Sequence, residues 1–404
     1  MTKILNISSF GPIKDATVEL KEINIFIGEQ SVGKSTLAKL ITILTDHISL
    51  SSIILSGHDA WNNLLNAYNL DLYAKDQYEI QYTWHVDNIH LKLHITDNAL
   101  SYEFHKNDVI IDDPQDAAKE VIRVKPIYHD DKLWPLVEKA AASQKKEDLS
   151  SVIEFITNSL YVPAERVIYS VINKLWPALY IVKAGIPNNL VKFMAELQNA
   201  KATYPEFDVP LLDIKYKYED SDDYFIINAN KKKYPLSIAS SGIQSTLPLL
   251  LVLHYAVNNR EFSSFVIEEP ECNLFPDKQI ELLKHIISIV SNKNRTLTIT
   301  THSPYLLSAI NNLLYSGNLQ KEYGDAILDK LPETSINDFR LTSEKCSVYS
   351  IGEQINSNGI YCKSILDSDT GMIDFNALDL VSEKLGEEFN KMEDAYIEVL
   401  NLDI

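Results

Sequence analysis

Gly28, Gly33, Lys34 and Ser35 stand in the spacing Gly-x-x-x-x-Gly-Lys-Ser within the stretch INIFIGEQSVGKSTLAKLI. A chain that wraps a polyphosphate needs this arrangement. The two glycines let the backbone fold tightly, so that successive N–H groups and the start of a following helix face negative charge. Lys34 adds a point charge for the outer phosphates, and the Ser35 hydroxyl is a ligand for Mg²⁺. Glu29, Gln30, Ser31, Val32 and Thr36 complete the loop. A glycine turn beside a surface lysine is the plainer alternative. The apolar run before the loop and the helix-like run after it favour a nucleoside triphosphate site, with ATP and Mg²⁺ as its ligands.

Two further stretches carry groups for hydrolysis. SSFVIEEPECNLF ends an apolar run on Glu268 and Glu269. If that run is a strand of a parallel sheet, its end lines the ligand crevice. Glu268 then joins the Mg²⁺ shell, and Glu269 orients and deprotonates the attacking water. A solvated Glu-Glu turn is the alternative. One strand later, TLTITTHSPYLL places His302 before Ser303 and Pro304, a good helix-start pair, within reach of a γ-phosphate. Catalysis is expected from Glu269, His302 and Lys34. A fourth stretch, SIASSGIQSTLPLLLVL, sets Ser240, Ser241 and Gly242 before an apolar helix. Such a bead caps a helix, and the helix N-terminus also attracts an anion.

These residues need a scaffold. Residues 3–27 fall into short strand-like pieces, and a helix is expected from Lys34 to about Leu44. Residues 77–106 alternate with period two and carry Asp-Asn turn signals, which predicts an antiparallel meander. A helical period dominates 112–205, interrupted by SLYVPAE, and strands return over 211–236. Helix (243–259), strand (263–268), helix (276–290), strand (295–301) and helix (303–314) then alternate, the order of a helix-covered parallel sheet. An amphipathic helix at about 375–399 closes the chain.

The 404 residues, 45% hydrophobic and 23% charged, suffice for a large core, and the net charge of -19 opposes bulk binding to nucleic acid. A local basic groove stays open, although Lys231-Lys232-Lys233 fits a solvated strand edge. Cys272, Cys346 and Cys362 are too few and scattered for a disulfide framework or zinc site. With no apolar signal core at the N-terminus and no membrane-length apolar run, a cytoplasmic protein with reduced thiols is expected.

The order of phosphate loop, SSGIQ, VIEEPE and THSP resembles the ABC-type ATPase heads of the RecF, SMC and OLD (overcoming lysogenization defect) group. That group includes many bacterial AAA-family ATP-binding proteins of defence systems. The opening strands, SLYVPAER and the tail GIYCKSILDSDTGMIDFNALDLVSEKLGEEF are similar to those of its shorter members. The resemblance implies an α/β P-loop NTPase head with an N-terminal antiparallel β meander and a compact helical lobe. It implies residues 1–315 as the head, a lobe at about 110–210 interrupting it, and 316–404 as a strand-turn-helix extension. Lys34 and Ser35 match the phosphate and metal residues, Glu268 the metal-shell acid, Glu269 the catalytic acid and His302 the switch histidine. Ser240, Ser241, Gly242 and Gln244 fall in the signature that meets the γ-phosphate of a second protomer's nucleotide. Glu165 and Arg166 fall near a nucleotide-sensing loop.

The chain departs from the group at three positions. Glu268 stands where many relatives have Asp, Ile243 replaces a second signature glycine, and Phe275 replaces a common His. The stretch between phosphate loop and signature has no sustained heptads for a long coiled coil. Asp367 and Asp369 in LDSDTG imitate a Toprim metal pair, but a tight acidic turn is the better account, so no nuclease domain is expected. The resemblance then implies a homodimer or higher even oligomer glued by ATP sandwiches. It would gate a separate effector such as a nuclease or toxin, or a DNA transaction, in phage defence or DNA repair. A nucleotide-sensing scaffold with little hydrolysis is the alternative. A transporter's ATPase subunit fits less well, because EEPECNLF stands where those carry an EPTSALD-like run.

Overall fold

A computed structural model describes residues 2–86, 88–123, 159–172, 175, 186–259, 262–290, 295–330, 341–352, 360–374 and 386–393. The chain opens with strands β1 (Thr2–Phe10), β2 (Ile13–Leu20) and β3 (Ile23–Gly28), then helices α1 (Lys34–Thr45) and α2 (His47–Ala67). Next come β4 (Glu79–Val86), β5 (Ile89–Thr96), β6 (Leu100–Lys106), β7 (Val109–Ile110) and α3 (Pro114–Arg123). β8 (Ser159–Val162) leads into a 3-10 turn (Ala164–Ile168) and a single helical turn (Tyr169–Ile172). α4 (Asn188–Thr203) precedes β9 (Glu206–Val209), β10 (Ile214–Glu219), β11 (Asp222–Ile227) and β12 (Lys233–Pro235). The remainder is α5 (Ser241–Asn259), β13 (Ser264–Glu268), α6 (Pro276–Val290), β14 (Thr296–Thr301), α7 (Pro304–Tyr323), β15 (Cys346–Ile351) and β16 (Cys362–Ser364).

Among the described residues the strands form three sheets. The central one has the order β16-β15-β3-β14-β13-β8, parallel throughout except for β16. Its strands β3, β13 and β15 are buried along their whole length, as a sheet covered on both faces requires. Side chains alternate between two cores. Ile23, Ile25, Ile27, Phe265 and Ile267 join one, with α4 to α7; Phe26, Val266 and Tyr349 join the other, with α1 and α2. Each such fully buried side chain contributes about 1.5–3 kcal/mol.

The second core also takes the inner face of an antiparallel sheet, β2-β1-β4-β5-β6-β7. In β5 the residues Ile89, Leu91, Leu93 and Ile95 point inward, while His90, Lys92 and His94 face out, the alternation of a half-covered sheet. The third sheet, β12-β11-β10-β9, packs on the first core. Lys233 sits on its edge strand, with its ammonium against Glu219 and over the Tyr224 ring at 3.9 Å.

This is the α/β P-loop NTPase fold expected, with its antiparallel N-terminal sheet and helices beside it. Two helices run further than their patterns suggested. α5 begins at Ser241, and α7 continues to Tyr323 rather than ending near 314. The small residues in the middle of α7 do not stop it. Leu341 O lies 1.9 Å from where a Cβ on Gly317 would sit, so glycine there serves close packing. Gly324, at φ +69°, ends the helix. Of the expected helical stretch 112–205, residues 124–158, 173–174 and 176–185 lie outside the described residues; of the closing helix, residues 386–393 are helical and the rest lies outside. The Asp367 carboxylate accepts from the N–H groups of Asp369 and Thr370, at 3.2 and 2.7 Å, making LDSDTG a tight turn. Among the described residues no single helix is long and apolar enough to cross a membrane. α1 and α2 pass that test only as a pair, bent by 78° and packed into the core.

Candidate functional site

Because β3, β14, β13 and β8 are parallel, their C-terminal ends gather at one edge, bringing together Gly28, Thr301, Glu268 and Val162. The loop from Gly28 to Lys34 is buried at its two ends, while Glu29, Gln30 and Ser31 between them are exposed. A Cβ on Gly28 would lie 2.2 Å from Ile351 O of β15, so only glycine lets the strands pair. Gly33, at φ +95°, caps α1 and has the Tyr361 hydroxyl 2.9 Å from where its Cβ would be. The Tyr361 hydroxyl also donates to Val32 O. α1 begins with neither a side-chain cap nor an acid in its first turn. Its leading N–H groups are therefore left for an anion.

Lys34 is buried, and its ammonium donates to Gly28 O at 2.8 Å and Glu29 O at 2.5 Å. Burial lowers its pKa to about 8, against the pull of Glu269, Glu268 and Glu271. Glu268 ends β13 at 2% exposure, beside the hydroxyls of Ser35 and Tyr161. Burial raises its pKa, and its Oε1 makes no hydrogen bond of good geometry. A buried carboxylate oxygen with no well-formed hydrogen bond, beside a serine hydroxyl, fits a hard divalent cation. Among the described residues no cluster of three or more His, Cys, Asp or Glu could hold a metal. A Mg²⁺ here would accordingly take few protein ligands and complete its shell with phosphate and water.

Glu269 follows in a left-handed conformation, φ +41°, unusual for a residue with a side chain. Its Oε1 lies 3.1 Å from His302 Nε2, and the Cys272 thiol donates to its Oε2 at 3.2 Å. The hydrogen bond from His302, helped by the thiol, lowers its pKa to about 2 despite partial burial. It is an ionised carboxylate at any neutral pH.

Glu271, third acid of the EEPE run, escaped the motif reading. Its Oε1 accepts from the Thr301 hydroxyl at 2.5 Å and from the His302 N–H at 2.9 Å, fixing the strand end that presents the histidine. Burial raises its pKa. The only sequence signal was its place in that acidic run.

Arg166 does not reach outward. It is fully buried behind the acids, with its guanidinium on backbone carbonyls, while Glu165 beside it is exposed. In the signature stretch Ser240 and Ser241 are exposed and Gly242 is buried. A Cβ on Gly242 would sit 2.7 Å from Asn273 O, so α5 presses directly on the turn that follows the acids. The Gln244 amide is bound within the chain, donating to Ala239 O at 2.9 Å and Ser237 O at 3.1 Å and accepting from the Ser170 hydroxyl at 2.7 Å.

The sequence model of the AAA ATPase domain matches residues 1–307. The chain belongs to the AAA ATPase domain family. No curated protein matches it. Among solved structures this AAA ATPase domain is similar to the SMC head domain from Thermotoga maritima, at 11% identity and a TM-score of 0.37, covering 76% of this chain and 91% of that one. It is also similar to an Smc head bound to the C-winged helix domain of ScpA, at 10% identity and a TM-score of 0.43, covering 90% and 97%. A third is the recombination mediator RecF, at 14% identity and a TM-score of 0.29, covering 75% and 92%.

Proposed function

We propose that this AAA ATPase domain binds ATP with Mg²⁺ and hydrolyses it. The carrying observation is the ionised Glu269, fixed by His302 and held at the end of the sheet that carries the phosphate loop. Lys34 and the N–H groups of residues 28–36 hold the phosphates; Ser35 and Glu268 hold the cation, which would draw charge from the phosphates. Glu269 orients and deprotonates the water, and His302 senses the γ-phosphate through its bond to that carboxylate. Ser240, Ser241 and Gly242, with Gln244 keeping their loop in shape, meet the γ-phosphate bound by a second copy. ATP thus joins two heads and hydrolysis parts them. From the motif order, the ATP state controls a separate effector such as a nuclease or toxin, or a DNA transaction, in phage defence or DNA repair. The proposed division is a head over 1–315, with the lobe inserted, and an extension over 316–404 whose β15 completes the central sheet of the head.

The test is phosphate release from ATP by wild type and Lys34→Ala, with size-exclusion chromatography of Glu269→Gln. Release in wild type, background in Lys34→Ala and an ATP-dependent dimer of Glu269→Gln are expected. An elution volume of Glu269→Gln indifferent to ATP would count against the sandwich. A second reading, a nucleotide sensor that hardly hydrolyses, is favoured by both Glu269 oxygens being engaged, one by His302 and one by Cys272. It predicts background release in wild type with ATP binding intact.

A further inference from the structure

The three acids of EEPE stand on a backbone that something must hold, and one side chain does so. Arg166, 0% exposed, donates from Nη1 to Glu268 O at 2.8 Å and from Nη2 to Glu269 O at 2.8 Å and Pro270 O at 3.3 Å. Its remaining N–H groups reach Pro163 O at 3.1 Å and, from Nε, Ser245 O in α5 at 3.1 Å. All five donors are thereby used, each on a backbone carbonyl. Burying a guanidinium is costly, and an apolar side chain would fill the same volume more cheaply. What an apolar side chain lacks is the rigid planar fork.

The carbonyls it holds are telling. Three are consecutive and span Glu269, whose φ of +41° is a strained conformation. Such strain persists only where surrounding contacts over-determine the backbone. The fourth belongs to α5, one turn beyond Ser241, and the fifth to the turn after β8, where Ala164 N faces Glu268 Oε2 at 3.5 Å. One flat group therefore ties the signature helix, the β8 turn and the backbone of the acids into a single body.

We infer that Arg166 is a positioning residue that sets the Glu269 carboxylate and couples it to the signature end of α5. The inference rests on Glu269 being the hydrolytic acid, as proposed above. A movement of α5 when Ser240–Gly242 engages a phosphate reaches the acid through the guanidinium, without Arg166 touching the nucleotide.

The experiment is a double-mutant cycle on the full chain, read by single-turnover ATP hydrolysis. Arg166→Lys keeps the charge and loses the fork. It should lower kcat by about 10- to 100-fold, the scale of a misplaced catalytic group, with ATP affinity within about twofold of wild type. In the Glu269→Gln background the same change should cost almost nothing, because the group it positions is already gone. Equal fractional losses in both backgrounds, or a loss that tracks the folded fraction by circular dichroism, would make Arg166 merely structural and overturn the inference. Unchanged kcat would overturn it too. Should Arg166→Lys fail to fold, Arg166→Gln takes its place in the cycle; failure of both to fold assigns Arg166 to stability alone. Background hydrolysis by wild type is a different outcome: there the reading of Glu269 itself fails and this inference falls with it.

Discussion

At the scale of single residues, the balance of forces on Glu269 decides how fast this site can work. His302 and Cys272 each bind one carboxylate oxygen, and burial together with the Glu269 charge pushes the thiol up to about 12, so it remains a donor. An acid lowered to about 2 is a poor base, and a thiol that also occupies its second oxygen competes with water. Cys272→Ala should therefore release that oxygen and raise kcat about two- to fivefold, the worth of a weak hydrogen bond of about 0.5–1 kcal/mol. Steady-state phosphate release checks this, and a lower rate would mean that the thiol positions the acid. His302→Asn should act the other way and cut kcat by about 10²-fold or more in the same assay, because it removes the group that orients the carboxylate and, as proposed above, senses the γ-phosphate. Lys34 and Ser35 could be picked from the sequence because they follow a glycine loop at the start of a helix, and Glu268, Glu269 and His302 because each is a polar residue where an apolar strand ends. Glu271 left no such signal, and Arg166 entered only through the resemblance to a nucleotide-sensing loop, because a side chain that serves backbone carbonyls and N–H groups leaves no spacing rule behind.

Element by element, α5 is held directly against the turn that follows the acids. Gly242→Ala should force the helix off Asn273 O and cost about 1–3 kcal/mol, read as a fall in the denaturant midpoint. Most strands up to β14 were legible because alternation or full burial leaves a period of two or an apolar run; the length of α7 was not, because its small residues serve packing rather than a turn. The far end of α5 holds a second device that patterns do not reveal. His254 Nε2 lies 3.2 Å from His285 Nε2 of α6, with Phe207 against the first ring. Burial lowers both pKa values, and for His254 the charge of His285 adds to the effect. The folded state therefore resists protonation that the unfolded chain accepts near pH 6.5. Stability is full above that pH and falls as pH drops toward the folded values. Melting temperature should decline between pH 7 and pH 5, and His285→Gln should flatten the decline. Parallel pH slopes in the two proteins would remove the pair from the explanation.

On the scale of the whole molecule, the family match stops at residue 307 while the central sheet does not. β15 pairs in parallel along all of β3, from Cys346 beside Ile23 to Ile351 beside Gly28. Its Ile351 O occupies the space that glycine leaves at the first position of the phosphate loop. Tyr361 then closes over the loop from the other side, through Val32 O and Pro12 O. Nothing in CSVYSI announced that partner, because a fully buried central strand reads as a short apolar run and its neighbours are set by topology alone. The loop geometry is thus built from both ends of the chain, and a protein cut after residue 330 would expose β3 as an open edge with Gly28 unsupported. Such a truncation should lose ATP binding or aggregate, although it retains all of Lys34, Ser35, Glu268, Glu269 and His302. Tyr361→Phe, which removes only the hydroxyl, should fold and lose about 1 kcal/mol of nucleotide affinity, roughly fivefold by titration calorimetry. A truncated chain that binds ATP as tightly as the full one would mean that residues 1–330 fix the loop unaided and that β15 and Tyr361 merely cover it.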